Sequence, residues 1–319
     1  MTGSMSSSGS SELIDRLTAR GAKTVALQFP EGLKRKAGEY ARALREAGFS
    51  VIVSGDPCYG ACDLALDTLA FADVLVHFGH APVNDQPDVI FEPYHVDFDP
   101  AVLEKALPLL SGKTIGLVTT VQHVHRIPAM ETFLHARGFE ARVAPGSGRT
   151  PHPGQVLGCC FTAARIPGVE AILFVGTGVF HPVGMALTTG LKVIALDPLT
   201  GTAQEVSGEA LQRRRFAVME KARGAGSFGI IVSTKQGQER MELAKYLAGL
   251  SPHAVIVTMR EVSPDELLNI GLAAYVNTAC PRLAYDDQVR FPVPVLSPQE
   301  FEILCGKRTW DEYEIDEIP

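Results

Sequence analysis

Residues 24–54, TVALQFPEGLKRKAGEYARALREAGFSVIVS, contain the pattern that decides the fold. A short apolar run rich in β-forming residues, Thr24 to Phe29, opens the stretch. A helix is predicted from Glu31 to Ala47, because leucines and alanines recur there at helical spacing and Gly48 supplies a stop signal. A second strand is predicted from Ser50 to Ser54. Strand, helix and strand of these lengths predict a parallel βαβ unit with a right-handed crossover.

The same unit occurs twice more along the chain. The second copy opens at Thr114 to Thr119 (TIGLVT) and the third at Gly229 to Ser233 (GIIVS). In every copy a helix and a second strand follow, and then a third strand. The remaining helices are predicted at 129–137 and 238–250, the second strands at 140–144 and 254–259, and the third strands at 74–78, 171–175 and 273–276. We therefore predict an α/β fold made of three similar βαβ-type units with parallel sheets around a shared centre.

These copies divide the chain into three predicted α/β units. The first covers residues 11–105, the second 106–222, and the third 223–319 with an acidic C-terminal tail. The acidic tail is expected either to dock on a partner subunit or to be solvated. Residues 1–10 (MTGSMSSSGS) are predicted to be a disordered tail or the remnant of an expression tag.

Composition narrows the class of protein. Hydrophobic residues make up 46% of the 319 residues and charged residues 20%, which is typical of a globular protein with a substantial core. The net charge of −7 argues against nucleic acid as a direct partner. No apolar run reaches the roughly 18 residues that span a bilayer, and the first ten residues lack the pattern of a signal peptide. We expect a cytoplasmic protein that does not bind membranes.

The chain has six cysteines, and five of them fall in loops of the three copies. Cys58 and Cys62 lie between the second and third strands of the first copy, and Cys159 and Cys160 lie there in the second. Cys280 follows the third strand of the third copy. Loops at the carboxyl ends of parallel strands are where α/β units bind ligands. The sixth cysteine is Cys305.

Three thiolates, one from each copy, suit an iron–sulfur cluster. The loops are too far apart in sequence for a zinc finger or a ferredoxin-type run. A [4Fe–4S] cluster with three cysteine ligands leaves one iron open, as a catalytic site requires. We therefore place a cluster site at the centre of the three units. The residues alone leave open which cysteine of each pair binds, and buried core cysteines are the structural alternative, which we favour for Cys305.

Five motifs in a fixed order connect these loops to a known family. The sequence resembles the diphthamide synthase family over about residues 11–305. The motifs are SGDPCYGACDL at 54–64, VHFGH at 76–80, PGQVLGC at 153–159, VGTGVFHP at 175–182 and VNTACPRLAYDD at 276–287.

The resemblance implies which cysteines bind the cluster and what reaction follows. By motif the [4Fe–4S] ligands, and through the cluster the catalytic residues, are Cys62, Cys159 and Cys280. The family is one of transferases that cleave S-adenosylmethionine as co-substrate. They move its 3-amino-3-carboxypropyl group to a histidine of translation elongation factor 2, by radical chemistry, in the first step of diphthamide biosynthesis. The resemblance also implies a homodimer and an electron donor.

Seven further residues are predicted to contact the substrate. Small residues after a strand let backbone N–H groups approach a carboxylate, and a guanidinium can clamp one. The structural alternatives are a plain turn, an ion pair between arginine and aspartate, and a satisfied structural histidine. The seven are Gly176, Thr177, Gly178, His181, Gln236, Arg282 and Asp286.

Two other functions compete with this interpretation. A quinolinate synthase-like dehydratase and condensing enzyme also builds three α/β units around a cluster with three cysteines, but its motifs differ from those quoted. A non-catalytic supporting subunit would be expected to lose cluster ligands, whereas all three motif cysteines are present here.

Overall fold

The computed structural model describes residues 7–318. The chain separates into two compact units, one up to Val96 and one from Asp97 onward. Residues 7–10 of the predicted N-terminal tail form the first turn of helix α1 (Ser7–Ala19), and the rest of that tail lies outside the described residues. The helix forms because Leu13 and Leu17, four residues apart, are both buried in the core.

The first unit is a parallel four-stranded sheet in the order β2-β1-β3-β4. The predicted helix 31–47 is divided into a short 3₁₀ segment, Glu31–Lys36, and a regular α-helix. Gly48 ends it in the left-handed region, at φ 97°, as predicted. The elements after α1 are β1 (Thr24–Gln28), α2 (Ala37–Glu46), β2 (Ser50–Val53), β3 (Val74–Phe78) and β4 (Val89–Glu92).

The second unit contains two sheets, of which the first has five strands in the order β6-β5-β7-β8-β9. Its last strand is antiparallel, because Asp197 caps a tight turn by accepting hydrogen bonds from the N–H groups of Leu199 and Thr200. The elements are β5 (Thr114–Thr119), α3 (Ile127–His135), β6 (Glu140–Arg142), β7 (Ala171–Val175), α4 (Phe180–Thr189), β8 (Lys192–Asp197), β9 (Thr202–Val206) and α5 (Glu209–Ala222).

The other sheet of the second unit is parallel and has the order β11-β10-β12-β13. All six residues of its central strand, β10, are buried. The elements are β10 (Phe228–Ser233), α6 (Met241–Ala248), β11 (Ala254–Met259), α7 (Pro264–Ile270), β12 (Ala274–Asn277), α8 (Arg282–Tyr285), β13 (Val295–Leu296) and α9 (Pro298–Leu304).

The predicted α/β class is confirmed, with three mostly parallel sheets. In each sheet the opening strand of the copy lies between its second and third strands. Four additional strands, β4, β8, β9 and β13, were not predicted. β4, β8 and β13 each extend a sheet by parallel pairing beside the third strand, and β9 pairs antiparallel with β8. Within residues 7–318, no helix is both long and apolar enough to cross a membrane.

A buried ion pair ties the last helix of the second unit to α5. The Nε of Arg215 donates to Oε1 of Glu300 at 2.8 Å, and both side chains are almost completely buried. The guanidinium also donates to the carbonyl oxygens of Ala284 and Val295. Burying both charges is tolerated because each is paired and hydrogen-bonded.

We predict that Glu300→Ala lowers the free energy of unfolding by about 3–5 kcal/mol, because it leaves the Arg215 charge buried without its partner. Urea unfolding followed by circular dichroism measures the change. Glu209→Ala, which removes the exposed partner of Arg213, is the matched control and should cost less than about 1 kcal/mol. Equal losses in the two variants would contradict the assignment of Arg215 and Glu300 as a core pair.

Candidate functional site

Cys62 lies in a turn that follows β2 in the first unit. The N–H of Asp63 donates to the carbonyl oxygen of Gly60 at 3.0 Å. A Cβ on Gly60 would lie 3.5 Å from the Cys62 sulfur, at van der Waals contact, so Gly60 lies directly beside the thiol. The buried Gln28 at the end of β1 braces the turn, donating to the Asp63 carbonyl oxygen at 2.7 Å and accepting from the N–H of Ala65 at 3.1 Å.

Cys159 lies at the tip of a tight turn in the second unit. Leu157 and Cys160 exchange backbone hydrogen bonds at 3.0 and 3.2 Å, which leaves Gly158 and Cys159 at the tip. The segment before the turn is fixed to the end of β5, since the N–H of Val156 donates to the carbonyl oxygen of Thr119 at 2.9 Å. The segment before the turn thus pairs with the end of β5, and Cys159 lies beyond the carboxyl end of that strand.

Cys280 lies directly after β12 in the same unit. The buried Asn277 donates through Nδ2 to the Cys280 carbonyl oxygen at 2.8 Å, and its Oδ1 accepts from the N–H of Ala279 at 3.0 Å. This side-chain turn fixes the path from the strand to α8. The Cys280 carbonyl also accepts from the N–H of Leu283, so the cysteine precedes the first turn of the helix.

A C-terminal clamp, residues 315–318, holds the Cys159 and Cys280 loops of the second unit. The N–H of Ile318 donates to the Cys159 carbonyl oxygen at 2.8 Å. Asp316 forms a bidentate pair with Arg240, at 2.8 and 2.6 Å, and the same guanidinium donates to the carbonyl of Ala279 at 3.1 Å. The clamp therefore reaches one cysteine loop directly and the other through Arg240.

The clamp differs from the expectation for the acidic tail. Solvation does not describe its end, because Ile315, Asp316 and Ile318 are buried within the chain. Glu317 accepts from the N–H of Phe161, close to Cys159. The two isoleucines, three residues apart, are the sequence feature that indicates a buried segment. The acidic residues around them instead favoured the prediction of a solvated tail.

Three of the predicted substrate residues, Arg282, Asp286 and His181, lie together near the Cys159 turn. The guanidinium of Arg282 lies 4.8 Å from the centre of the Phe180 ring. A Cβ on Gly158 would come within 3.1 Å of the Cδ of Arg282, so Arg282 packs against the Cys159 turn. Arg282 pairs with Asp286 through Nε at 2.8 Å, so the structural alternative for these two residues is present. About half of the Arg282 side chain nevertheless remains exposed.

His181 lies in the first turn of α4 and stacks on Phe174, with ring centres 5.6 Å apart. Burial and the nearby charge of Arg282 lower the pKa of His181 to about 4. The imidazole is therefore neutral at pH 7 and can donate or accept a hydrogen bond.

The other predicted contacts lie on two loops after strands. Gly176 is buried, and a Cβ there would come within 2.7 Å of the Phe174 ring. Thr177 and Gly178 are exposed, and Gly178 has φ 79°, which favours glycine. Gln236 is exposed on the loop after β10, where the side chain of Arg149 donates to the carbonyl oxygen of Gly237 at 2.6 Å.

The cysteines divide by exposure. Cys58 and Cys160 are buried, whereas the three motif cysteines Cys62, Cys159 and Cys280 are half-buried on loops. All six are thiols rather than disulfides. A soft thiolate set at the openings of loops fits an iron–sulfur cluster, which needs sulfur ligands within reach of the surface for loading. Cys305, also half-buried, caps α9 and packs against the apolar core, as favoured from the sequence.

Sequence reasoning missed the residues that position these loops. Asn277, Arg240 and Asp316 contact the Cys280 loop or its neighbours through hydrogen bonds. A polar residue such as Asn277 in a buried strand is a signal that could have been used, because a buried amide must find partners. Arg240 and Asp316 are too far apart in sequence for such a signal.

We predict that Asp316→Ala lowers the free energy of unfolding by about 3–5 kcal/mol, because Arg240 then loses its buried partner. Hydrogen exchange at the amide of Ile318 should also accelerate, since the clamp loosens. Asp311→Ala, an exposed change on the same tail, is the control and should stay within about 0.5 kcal/mol. Unchanged exchange at Ile318 in the Asp316 variant would mean that the clamp does not hold the loop.

The lowered pKa of His181 predicts acid sensitivity. Since its folded pKa of about 4 lies below the ordinary 6.5, the unfolded state binds the proton more readily between these values. Stability is therefore full above pH 6.5 and falls as the pH drops toward 4. The free energy of unfolding of His181→Gln should fall by about 3 kcal/mol less than that of the wild type between pH 6.5 and 4. Urea unfolding at several pH values in this interval measures the difference. The exposed His135→Gln is the control, and an identical pH profile for both variants would refute the effect.

The chain is similar in sequence to a known protein family and to named members of it. The model of the diphthamide synthesis protein family matches residues 29–314. The 2-(3-amino-3-carboxypropyl)histidine synthase of Pyrococcus horikoshii is 40% identical over 97% of this chain and 92% of its own length. Subunit 1 of the synthase of Nematostella vectensis is 30% identical over 91% of this chain and 65% of its own length.

A solved structure with a similar sequence also has a similar fold. The crystal structure of Dph2 from Pyrococcus horikoshii with 4Fe-4S cluster has a TM-score of 0.91 and 38% identity, covering 97% of this chain and 93% of that one. The names of the relatives describe transferases, so the predicted enzyme class is confirmed. The resemblance seen in the five motifs is likewise confirmed: the chain belongs to the diphthamide synthesis protein family.

Proposed function

We propose that this chain cleaves S-adenosylmethionine and transfers its 3-amino-3-carboxypropyl group to a histidine of translation elongation factor 2. The observation that carries the proposal is the set of three half-buried cysteines on loops after strands, Cys62, Cys159 and Cys280. The name of the 40% identical relative, a 2-(3-amino-3-carboxypropyl)histidine synthase, supports the same reaction.

The three cysteines would hold a [4Fe–4S] cluster, and the Dph2 structure from Pyrococcus horikoshii, which was solved with such a cluster, supports this assignment. When bound, the cluster supplies an open iron position and an electron for the sulfonium of the substrate. The bond from sulfur to the aminocarboxypropyl arm would break and methylthioadenosine would leave. The fragment would replace the hydrogen on an imidazole carbon, and that hydrogen would leave as a proton while the electron is returned. The protein contributes rigid loops, because Gln28, Asn277 and the C-terminal clamp fix the backbone around each cysteine.

Arg282 would orient the carboxylate of the methionine moiety. Its guanidinium is half exposed, and Asp286 and the Phe180 ring hold it in one direction. Such preorganisation reduces the entropy lost on binding. The exposed backbone at Thr177 and Gly178 offers N–H groups to the same class of ligand.

Two other residues would complete the contacts with the nucleoside and the substrate histidine. The neutral His181 beside Arg282 can accept or donate a hydrogen bond without adding a second positive charge. Gln236, exposed on the loop after β10, can hydrogen-bond the adenosyl group. These roles rest on the position of both residues after strands of the second unit, where its cysteine loops also lie.

The proposed reaction defines the partners. Elongation factor 2 is the protein substrate, an electron donor reduces the cluster, and a second copy of the chain forms a homodimer. The site of action is the cytoplasm, where translation factors work. The family match gives no support to the quinolinate synthase-like alternative, and the presence of all three motif cysteines argues against a supporting subunit.

We predict that Cys62→Ser, Cys159→Ser and Cys280→Ser each lower iron and sulfide content and abolish modification of elongation factor 2. Protein purified without oxygen would be assayed for iron, for sulfide and for the mass increase of the factor after addition of S-adenosylmethionine and a reductant. The expected loss of transfer is at least about 100-fold, because the ligands act as one unit.

Cys305→Ser is the matched control, since this half-buried thiol packs in the core at the end of α9, away from the motifs. It should retain iron and transfer. Full iron content and unchanged transfer in any of the three motif variants would remove that cysteine from the ligand set. Loss in the control as well would indicate general unfolding, which circular dichroism of each variant distinguishes.

A further inference from the structure

A second group of potential metal ligands lies in the first unit and shares no residue with the proposed cluster set. One nitrogen each of His77 and His80 and the sulfur of Cys58 all lie within 4.8 Å of one another. Cys58 and His77 are buried, whereas His80 is half-buried and gives access from the surface. Cysteine sulfur and imidazole nitrogen are the donors that Zn²⁺ prefers.

The local backbone brings these donors together. His77 lies at the end of β3, and Gly79, at φ 80°, lets the chain turn so that His80 faces back toward it. The Nε2 of His77 lies 2.9 Å from the Nδ1 of His80. Two nitrogen ligands of a tetrahedral zinc ion are about 3.3 Å apart, so a movement of about 0.4 Å and a rotation of the rings would make room for the ion. The proton that His80 Nδ1 donates to His77 Nε2 would move to Nε2 of His80, which leaves both facing nitrogens with a lone pair.

A hydrogen bond outside the group orients one of the ligands. The Nδ1 of His77 lies 2.8 Å from Oε1 of Gln28, an oxygen that can only accept, so Nδ1 carries the proton and Nε2 keeps its lone pair. Histidines that bind metals commonly donate their second ring N–H to such an oxygen, and the bond raises their basicity as ligands.

The three donors carry no positive charge that would oppose a cation. Burial lowers the pKa of His77 to about 3 and that of His80 to about 4, so both rings are neutral. Burial, and then the nearby carboxylate of Asp63, raise the pKa of the Cys58 thiol to about 12. A divalent ion would reverse that preference, because a coordinating thiol loses its proton and the new thiolate is neutralised by the metal.

We propose that Cys58, His77 and His80 bind a zinc-class divalent cation, with water in the fourth position. The ion fastens the loop that carries Cys62 to the end of β3. The ion shares no ligand with the proposed cluster, since Cys62 contributes to the one site and Cys58 to the other.

Cobalt(II) is the probe for this site, used in a Cys62→Ser, Cys159→Ser, Cys280→Ser variant that lacks the proposed cluster ligands. One equivalent of Co²⁺ should bind and give the thiolate charge-transfer band and the visible bands of tetrahedral cobalt. Adding Cys58→Ser should abolish the charge-transfer band, and adding His80→Ala should weaken binding at least about 10-fold. Cys305→Ser and His135→Ala, added to the same variant, are the matched controls and should change neither.

A second measurement applies to the protein with its own cysteines, in case the triple variant does not fold. Protein purified from zinc-supplemented cells should contain one zinc per chain, and Cys58→Ser should lose the zinc while keeping its iron. Cobalt spectra that are insensitive to Cys58 and His80, or zinc content equal in the wild type and the Cys58 variant, would overturn the proposal. Loss of iron with retention of zinc in the three motif variants would instead support two independent sites.

Discussion

Parallel pairing of the strands is the constraint on which the rest of the structure depends. In each sheet the opening strand of a copy lies between two parallel neighbours, so the carboxyl ends of all three strands open at the same edge. Every crossover returns the chain to the opposite edge, which leaves the loops after the strands for binding. Cys62, Cys159 and Cys280 occupy such loops.

Loops at a sheet edge are not rigid by themselves, and the chain stiffens them with buried polar groups. Gln28 braces the Cys62 turn, Asn277 braces the Cys280 loop, and the Arg240–Asp316 pair connects the latter to the clamp. Each of these groups is satisfied by partners, which is what burial demands. Bracing of this kind lowers the entropy that a loop loses when it binds a ligand, and this would assist the proposed cluster ligands.

The first unit uses one polar residue for two purposes. Gln28 accepts from both the Cys62 turn and His77, so the cluster loop and the proposed zinc ligands share a brace. Substitutions at Gln28 would therefore affect two sites together. Cys58 and Cys62 lie four residues apart on the loop that Gln28 braces.

Much of the fold was predictable because periodicity and glycine signals are local. Gly48 and Gly138, both in the left-handed region, end helices where the sequence placed the stops. The edge strands β4 and β13 were not predicted, since two to four residues carry too little pattern. In the candidate site, the choice of the three motif cysteines among the six depended on the family resemblance. The long-range contacts of the clamp could not be foreseen, because those such as Arg240 to Asp316 span 76 residues.

The identity of the nucleoside released from S-adenosylmethionine tests the central claim most directly. Reduced protein with its full iron content would be mixed with S-adenosylmethionine under anaerobic conditions, and the nucleoside products separated by chromatography. We expect methylthioadenosine, because the bond to the aminocarboxypropyl arm breaks. Release of 5′-deoxyadenosine alone would show that the bond to the adenosyl carbon breaks instead and would contradict the proposed reaction.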